Sequence, residues 1–168
     1  MLRNIDDILD ELQGRKDCVF LPSAGLPTLS EGLRLPDDLR RFYERFSEAR
    51  LFGDRSDPRY HIPPPGEFVQ IGFAIYSQPT SNAVQRSWYA LAHVRDGNYI
   101  AIDCAPSRLG YCYDAFHETL DDLSYCGVIA RSFTELMNVA AAAGDSAWWL
   151  REGFKGYGHA DRRGGEGE

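Results

Sequence analysis

The sequence lacks the features that mark exported, membrane-spanning, nucleotide-binding and zinc-binding proteins. No window approaches the ~18 apolar residues of a membrane span, and the acidic opening over residues 1–7 has no apolar stretch of the kind found in signal peptides. No glycine-rich phosphate-binding loop and no C-x-x-C or H-x-E spacing is present. We therefore expect a cytoplasmic protein that has no membrane contact and no metal or other cofactor.

Lysine is scarce and basic residues are outnumbered. The 168 residues carry 18 Lys and Arg against 25 Asp and Glu, which gives a net charge of −7, and Lys16 and Lys155 are the two lysines. A chain of this charge repels phosphate groups, so we expect no direct binding to nucleic acid. Between residues 101 and 150, seven acidic residues stand against two arginines, which concentrates the negative charge in one segment.

The four cysteines do not follow a metal-binding or disulfide-rich pattern. Because the chain carries no export signal, buried reduced thiols are a simpler explanation than disulfides. The four residues are Cys18, Cys104, Cys112 and Cys126.

Two pairs of residues have the side-chain types of a catalytic dyad. Cys112 with His117 has the residue types of a thiol nucleophile and its base, but a cysteine between two tyrosines is more typical of a buried strand position. His93 and Asp103 fall on a predicted hairpin whose register, with Arg95 opposite Asn98, places them on opposite faces. We therefore predict that the protein is not an enzyme and has no catalytic residues.

Three segments have the apolar periodicity of helices that pack on one side. The first ends near Gly14, the second begins at Pro36, and the third begins with the capping box Ser132–Glu135 and ends at Gly144. The apolar stripes of the first two are Ile5, Ile8, Leu9 and Leu12, and Leu39, Phe42, Tyr43 and Phe46.

Strand patterns fill much of the remaining sequence. Residues 88–94 and 99–103 predict a hairpin around Asp96-Gly97, and because both of its faces are apolar we expect it in the middle of a sheet. Shorter strands are predicted over 67–76, 111–114 and 125–130. The proline- and glycine-rich ranges 18–34 and 53–66 predict irregular connections. One domain over residues 1–152 and a flexible tail over 153–168 complete the prediction.

The acidic segment is the candidate binding surface. Aromatic side chains within a field of one charge are typical of surfaces that bind an oppositely charged protein. The alternative is a solvated loop with some packed tyrosines. The candidate partner-binding residues are Asp103, Tyr111, Asp114, Phe116, Glu118, Asp121 and Asp122, and the same segment holds Tyr113 and Tyr125.

Three runs of residues carry a family resemblance. Residues 35–43 (LPDDLRRFY), the hairpin 88–103 and residues 128–136 (VIARSFTEL) resemble, in that order, the SUKH superfamily of Smi-and-Knr-like proteins. The resemblance covers about residues 30–150. It implies an α+β domain with a central, mainly antiparallel sheet packed by N-terminal and C-terminal helices. The family has no shared catalytic motif.

The resemblance also implies a function. Bacterial members are mostly regarded as immunity proteins that bind and neutralise polymorphic toxins, whereas eukaryotic relatives are regulatory interaction proteins. We therefore expect a non-catalytic bacterial immunity protein whose partner is a basic toxin domain such as a nuclease. The alternatives are a regulatory or scaffold module that is not tied to a toxin, and an enzyme that depends on Cys112.

Overall fold

The protein is built on one antiparallel sheet. The computed structural model describes residues 2–162, in which seven strands pair in chain order from β1 to β7. The strands are β1 (Cys18–Pro22), β2 (Phe46–Asp54), β3 (Asp57–Ile62), β4 (Trp88–Val94), β5 (Asn98–Asp103), β6 (Cys112–Ala115) and β7 (Val128–Ala130). The helices are α1 (Ile5–Gln13), α2 (Asp37–Arg45), α3 (Ile71–Tyr76) and α4 (Phe133–Ala143). The predicted α+β class is confirmed.

Helices α1, α2 and α4 cover one face of the sheet and confirm the three helix predictions. The amide of Asp7 donates to the Asn4 side chain at 2.9 Å and caps α1, while Gly14 follows its last residue. At α4, the amide of Glu135 donates to Ser132 Oγ at 3.0 Å, and Glu135 Oε1 accepts from the amide of Arg131 at 2.7 Å. The apolar sides of these helices form the larger of two buried cores.

The second face of the sheet is covered over β4–β7. Here α3, the loop after β6 and the C-terminal segment enclose a smaller core, in which Trp88 stacks on Tyr113 with ring centroids 3.9 Å apart. On the β1–β2 half of this face, Val19, Leu21 and Arg50 remain partly or largely exposed. The predicted hairpin β4–β5 lies at the centre, and its side chains are buried on both faces apart from His93, which is exposed, and Tyr99, which is half-buried. No helix among the described residues is both long enough and apolar enough to cross a membrane.

The register of this hairpin differs from the prediction. Val94, rather than Arg95, lies opposite Asn98, so the loop has three residues and ends at Gly97, whose φ of 86° is left-handed. A second irregularity, a bulge at Leu91, places Ala92 and Val94 in the larger core. Together, the three-residue loop and the bulge move the side chains of residues 92–94 to the face opposite the predicted one.

The changed register alters the case against the His93–Asp103 dyad. His93 pairs with Tyr99, and directly opposed residues share a face, so His93 and Asp103 lie on the same face rather than on opposite faces. They are nevertheless four residues apart along β5, which is about 13 Å. Separation along the strand, and not orientation, prevents their contact.

Two ranges predicted as irregular contain strands. β1 lies within 18–34, and the turn between β2 and β3 lies within 53–66. Pro58 stands at the start of β3 and Pro63–Pro65 follow its end, so the prolines limit the strand without excluding it. The sequence pattern misled because a strand of five or six residues shows little periodicity beside so many turn residues.

The strand predicted over 67–76 is wrong. A single bridge joins Gln70 to Tyr89, and α3 follows at once. Gln70 Oε1 accepts from the amide of Gly72 at 2.9 Å and caps this helix. A Cβ at Gly72 would lie 2.5 Å from both the Gln78 carbonyl oxygen and the Thr80 nitrogen, so the turn closes only around glycine.

Part of the range predicted as a tail is packed against β7. The amide of Tyr157 donates to the Val128 carbonyl, the amide of Val128 donates to the Gly158 carbonyl, and the amide of Ala160 donates to the Cys126 carbonyl, each at 2.9 Å. A Cβ at Gly156 would lie 2.5 Å from the Val128 oxygen, so the segment can approach this closely because glycine stands there. Residues 163–168 of the predicted tail lie outside the described residues.

Asp103 is completely buried at the end of β5. One carboxylate oxygen accepts from Ser87 Oγ at 2.6 Å and from the Ala105 amide at 3.0 Å. The other accepts from Tyr113 Oη at 2.7 Å and from Arg108 Nε at 2.9 Å. Four donors thus satisfy a charge that water does not reach, and they join three parts of the chain.

Asp103→Ala is expected to lower the free energy of unfolding by about 3–5 kcal/mol, because it leaves the Arg108 guanidinium and two hydroxyls without their acceptor. Urea unfolding monitored by tryptophan fluorescence measures the change. Asp96→Ala removes an exposed carboxylate that lies 3.5 Å from Arg59 and should cost less than about 1 kcal/mol. Equal losses for the two variants would contradict the role given to Asp103.

Candidate partner-binding surface

The structure does not bring the seven predicted binding residues onto one surface. Asp103 is inside the fold and has no access to a partner, so its inclusion is corrected. Tyr111, Asp114 and Phe116 are half-buried, and Glu118, Asp121 and Asp122 are exposed.

The exposed acids belong to the acidic loop, which we define as residues 116–125. Leu120 is buried in the smaller core, and its carbonyl accepts from Gln85 Nε2 at 2.5 Å. Tyr76 Oη of α3 donates to the carbonyl of His117 at 3.1 Å. The acidic loop is therefore tied down near its middle, while its charged side chains point outward.

Charge and exposed aromatic surface occur together on the acidic loop. Glu118, Asp121 and Asp122 are exposed, and Tyr125 at the end of the loop is 63% exposed. Hydrogen bonds from the Ser124 amide and hydroxyl to Asp122 lower the pKa of that carboxyl. These groups form a negative surface with one aromatic ring available for contact.

A small cavity lies beside the acidic loop at the β6–β7 edge, and we call it the Asp114 pocket. Its volume is about 270 Å³. Asp114 points to the face of β6 opposite Tyr113, since neighbouring strand residues alternate. The pocket is lined chiefly by Asp114, Tyr125, Trp149, Phe154 and His159.

Two polar atoms in the Asp114 pocket are buried without a hydrogen bond. Asp114 Oδ1 and Trp149 Nε1 are both inaccessible to solvent, and neither has a hydrogen-bond partner within residues 2–162. Burial raises the pKa of Asp114 to about 6, and the indole N–H of Trp149, which faces the carboxylate outside hydrogen-bond geometry, acts in the opposite direction. An incompletely paired carboxylate at a cavity makes the pocket a candidate binding position.

Sequence reasoning identified one wall of this pocket and missed the other. Asp114 and Tyr125 stand in the acidic segment, whereas Trp149, Phe154 and His159 come from the C-terminal part of the chain. Trp149 and Phe154 stand on either side of residues 150–153, a glycine- and charge-containing stretch that predicts disorder. These two aromatic residues are the signal that could have identified this wall. Only the pairing of residues 157–160 with 126–128 brings them to β6 and β7.

A second cleft lies over β3–β5 on the second face of the sheet. Cross-strand pairing aligns Arg50, His61, His93 and Tyr99 in a row across β2–β5, and the cleft beside it has a volume of about 430 Å³. His61 Nε2 lies 2.5 Å from Glu48 Oε2, and burial together with His61 lowers the pKa of His93. Within residues 2–162, no cluster of three or more metal-ligating side chains is arranged to hold an ion.

The cysteines are buried, as predicted, and their surroundings favour the neutral thiol. Burial raises the pKa of Cys18 to about 11 and the pKa values of Cys104 and Cys126 to about 12, and it raises the pKa of Cys112 well above its ordinary value. Cys112 Sγ lies 3.4 Å from the carbonyl oxygen of Gly110. This environment does not generate the thiolate that nucleophilic catalysis needs.

Comparison with known proteins gives a family and a relative. The model of the SMI1 / KNR4 family (SUKH-1) matches residues 29–139. The immunity protein YokJ of Bacillus subtilis (strain 168) is 30% identical over 158 residues, which cover 94% of this chain and 95% of the relative. No solved structure matches the chain.

Asp114→Asn is expected to stabilise the protein at pH 7.5. The fold raises the pKa of Asp114 from 3.8 to about 6, so ionisation of Asp114 reduces stability as the pH rises from about 4 to about 6. Replacing the carboxylate by a neutral amide should then raise the free energy of unfolding by about 1–3 kcal/mol at pH 7.5, with a smaller effect at pH 4.

Urea unfolding at both pH values measures the effect. Asp122→Asn is the matched control because the pKa of Asp122 is lowered, and it should give no gain at pH 7.5. An Asp114→Asn variant that is less stable than the parent at pH 7.5 would contradict the assignment of Asp114 as a strained carboxylate.

Proposed function

The chain belongs to the SMI1/KNR4 (SUKH-1) family, and from that membership we propose that it is an immunity protein that binds and neutralises a cognate polymorphic toxin. The observation that carries this proposal is the similarity to the immunity protein YokJ over nearly the full length of both chains. A match of that extent includes every strand of the sheet, and not merely a shared motif.

Neutralisation by binding, without catalysis, is the mechanism that fits the described side chains best. The thiols are buried and protonated, and His93 and Asp103 are too far apart for a dyad. The acidic loop and the Asp114 pocket instead form a surface of the kind that recognises a protein. The buried free cysteines fit a reducing compartment, so we place this activity in the cytoplasm.

The charge of the acidic loop supports a basic partner. Glu118, Asp121 and Asp122 are exposed on one tethered loop, and the chain as a whole has a net charge of −7. A toxin domain that acts on nucleic acid must present lysine and arginine to bind phosphates. Binding to those basic groups would block access to the substrate, and charge attraction would speed the encounter.

Co-expression tests the proposed function. The toxin domain encoded beside this gene is expressed in a sensitive host with and without this protein, and survival is scored. Rescue together with a 1:1 complex in a pull-down is the expected result. An unrelated toxin serves as the negative control, and this protein should not rescue the host from it. A well-folded protein that neither rescues nor binds an active neighbouring toxin would contradict the proposal and favour a regulatory or scaffold module.

Charge reversal tests the position of the interface. The double variant Asp121→Lys/Asp122→Lys should slow association with the toxin by about tenfold at low salt and weaken the dependence of the rate on salt, because it removes electrostatic attraction. Stopped-flow measurement over a salt series gives both quantities.

The matched control changes the same net charge elsewhere. Asp54→Lys/Asp57→Lys alters two exposed acids around the β2–β3 turn, three strands away from β6. Its association rate should stay closer to that of the parent protein. If both double variants slow association equally, then net charge rather than the acidic loop determines the rate.

A further inference from the structure

The Asp114 pocket has the dimensions of a single side chain. At about 270 Å³ it is smaller than the ~300–1,000 Å³ of sites for drug-sized ligands, and it opens beside the exposed ring of Tyr125. A partner that covered the acidic loop would therefore meet the mouth of this pocket. One protruding side chain of that partner would be enough to fill it.

The lining of the pocket favours a cation. Asp114 contributes an incompletely paired carboxylate to the lining, and an apolar occupant would leave that carboxylate incompletely paired. An anionic occupant would be repelled by the same carboxylate. A guanidinium or ammonium group would pair with the charge of the Asp114 carboxylate and could also rest against the rings of Trp149, Tyr125 or Phe154, which attract cations at their faces.

Building on the proposed function, we propose that the Asp114 pocket is the anchor site of this surface, and that it accepts one arginine or lysine side chain of the protein partner. The acidic loop supplies attraction at a distance, and Asp114 supplies a directed contact at the end of the approach. Buried arginine contacts of this kind commonly carry a large share of the affinity at protein interfaces.

The other titratable groups near Asp114 come from two elements. Tyr125 and Cys126 precede β7, and burial raises the pKa of Cys126 to about 12, so this thiol is neutral. His159 on the C-terminal segment lines the pocket and is exposed, and Lys155 lies in the chain between two lining residues. His159 is the histidine in the lining of the pocket, so the test includes a His159 variant.

A test with a small probe needs no toxin. Nα-acetyl-arginine-N-methylamide is titrated into the full-length ¹⁵N-labelled protein, and the indole signal of Trp149 is followed by NMR. We expect saturable shifts with a Kd of about 1–10 mM. The neutral norleucine analogue should not saturate, Asp114→Asn should weaken binding at least about tenfold, and Asp54→Asn should leave it unchanged.

The pH dependence separates the carboxylate from the imidazole. Because the probe binds the ionised form of Asp114, whose pKa is about 6, affinity should be about tenfold higher at pH 7 than at pH 5 in the parent protein and in His159→Gln. Asp114→Asn should show no such dependence. Binding that survives Asp114→Asn, or norleucine binding equal to that of the arginine probe, would overturn the proposal.

Three further outcomes distinguish this proposal from the proposed function and from an occupant supplied by this chain. Two arginines of this chain, Arg162 and Arg163, follow Asp161, so the titration is repeated with the double variant Arg162→Gln/Arg163→Gln. Saturation in that variant but not in the parent protein would overturn the proposal, because the occupant of the pocket would then be a side chain of this chain. If the parent protein rescues the host and Asp114→Asn binds the toxin as tightly as the parent protein does, then the anchor site is overturned and the immunity function stands. Saturable probe binding without rescue would overturn the immunity function and support the cation site.

Discussion

The buried carboxylate of Asp103 is the interaction on which the binding surface depends. Its four hydrogen bonds join the residue before β4, the turn after β5 and Tyr113 of β6, so they hold β6 in register against β5. Because Tyr113 is held on one face, the next residue, Asp114, must point to the other. Two aspartates of one acidic segment thus serve different purposes: the first has every oxygen satisfied and organises the fold, and the second keeps an unsatisfied oxygen at a cavity.

The unequal covering of the sheet determines where a partner can bind. Helices α1, α2 and α4 cover one face except at the β6–β7 edge, where the Asp114 pocket lies, whereas the second face carries short elements over β4–β7 and leaves side chains of β1 and β2 partly exposed. In the cleft beside β3, His61 is paired with Glu48, and Glu67 is the acidic side chain of the lining. At the β6–β7 edge, negative charge, an exposed ring and an unpaired carboxylate oxygen occur together. That combination makes this edge the better candidate for recognition.

Local pattern predicted α1, α2, α4 and the central hairpin, because neighbouring residues alone form a one-sided apolar stripe or an Asp-Gly turn. It failed where contacts distant in sequence decide. α3 forms because Gly72 fits against residues 78–80, and His93 changes face because of the irregularity at Leu91. Acidic composition predicted the segment that holds the exposed acidic loop but could not separate Asp103 from Asp114, since burial depends on strand register. Trp149 and Phe154 could not be assigned to the site because their approach requires the segment after Gly156 to pair beside β7.

An ionisable group that is held in an unfavourable state links binding to folding. The fold disfavours the charged form of Asp114, and a cationic side chain entering the pocket would favour that same form, so the free energy of bringing the carboxylate to its charged state would be recovered in the complex. The exposed carboxylates of the acidic loop gain less from a close partner, because water already solvates them, and they act mainly on the rate of encounter. Speed and lifetime of a complex would therefore rest on different residues of one edge: on Asp121 and Asp122 for the approach, and on Asp114 for the retention of the partner.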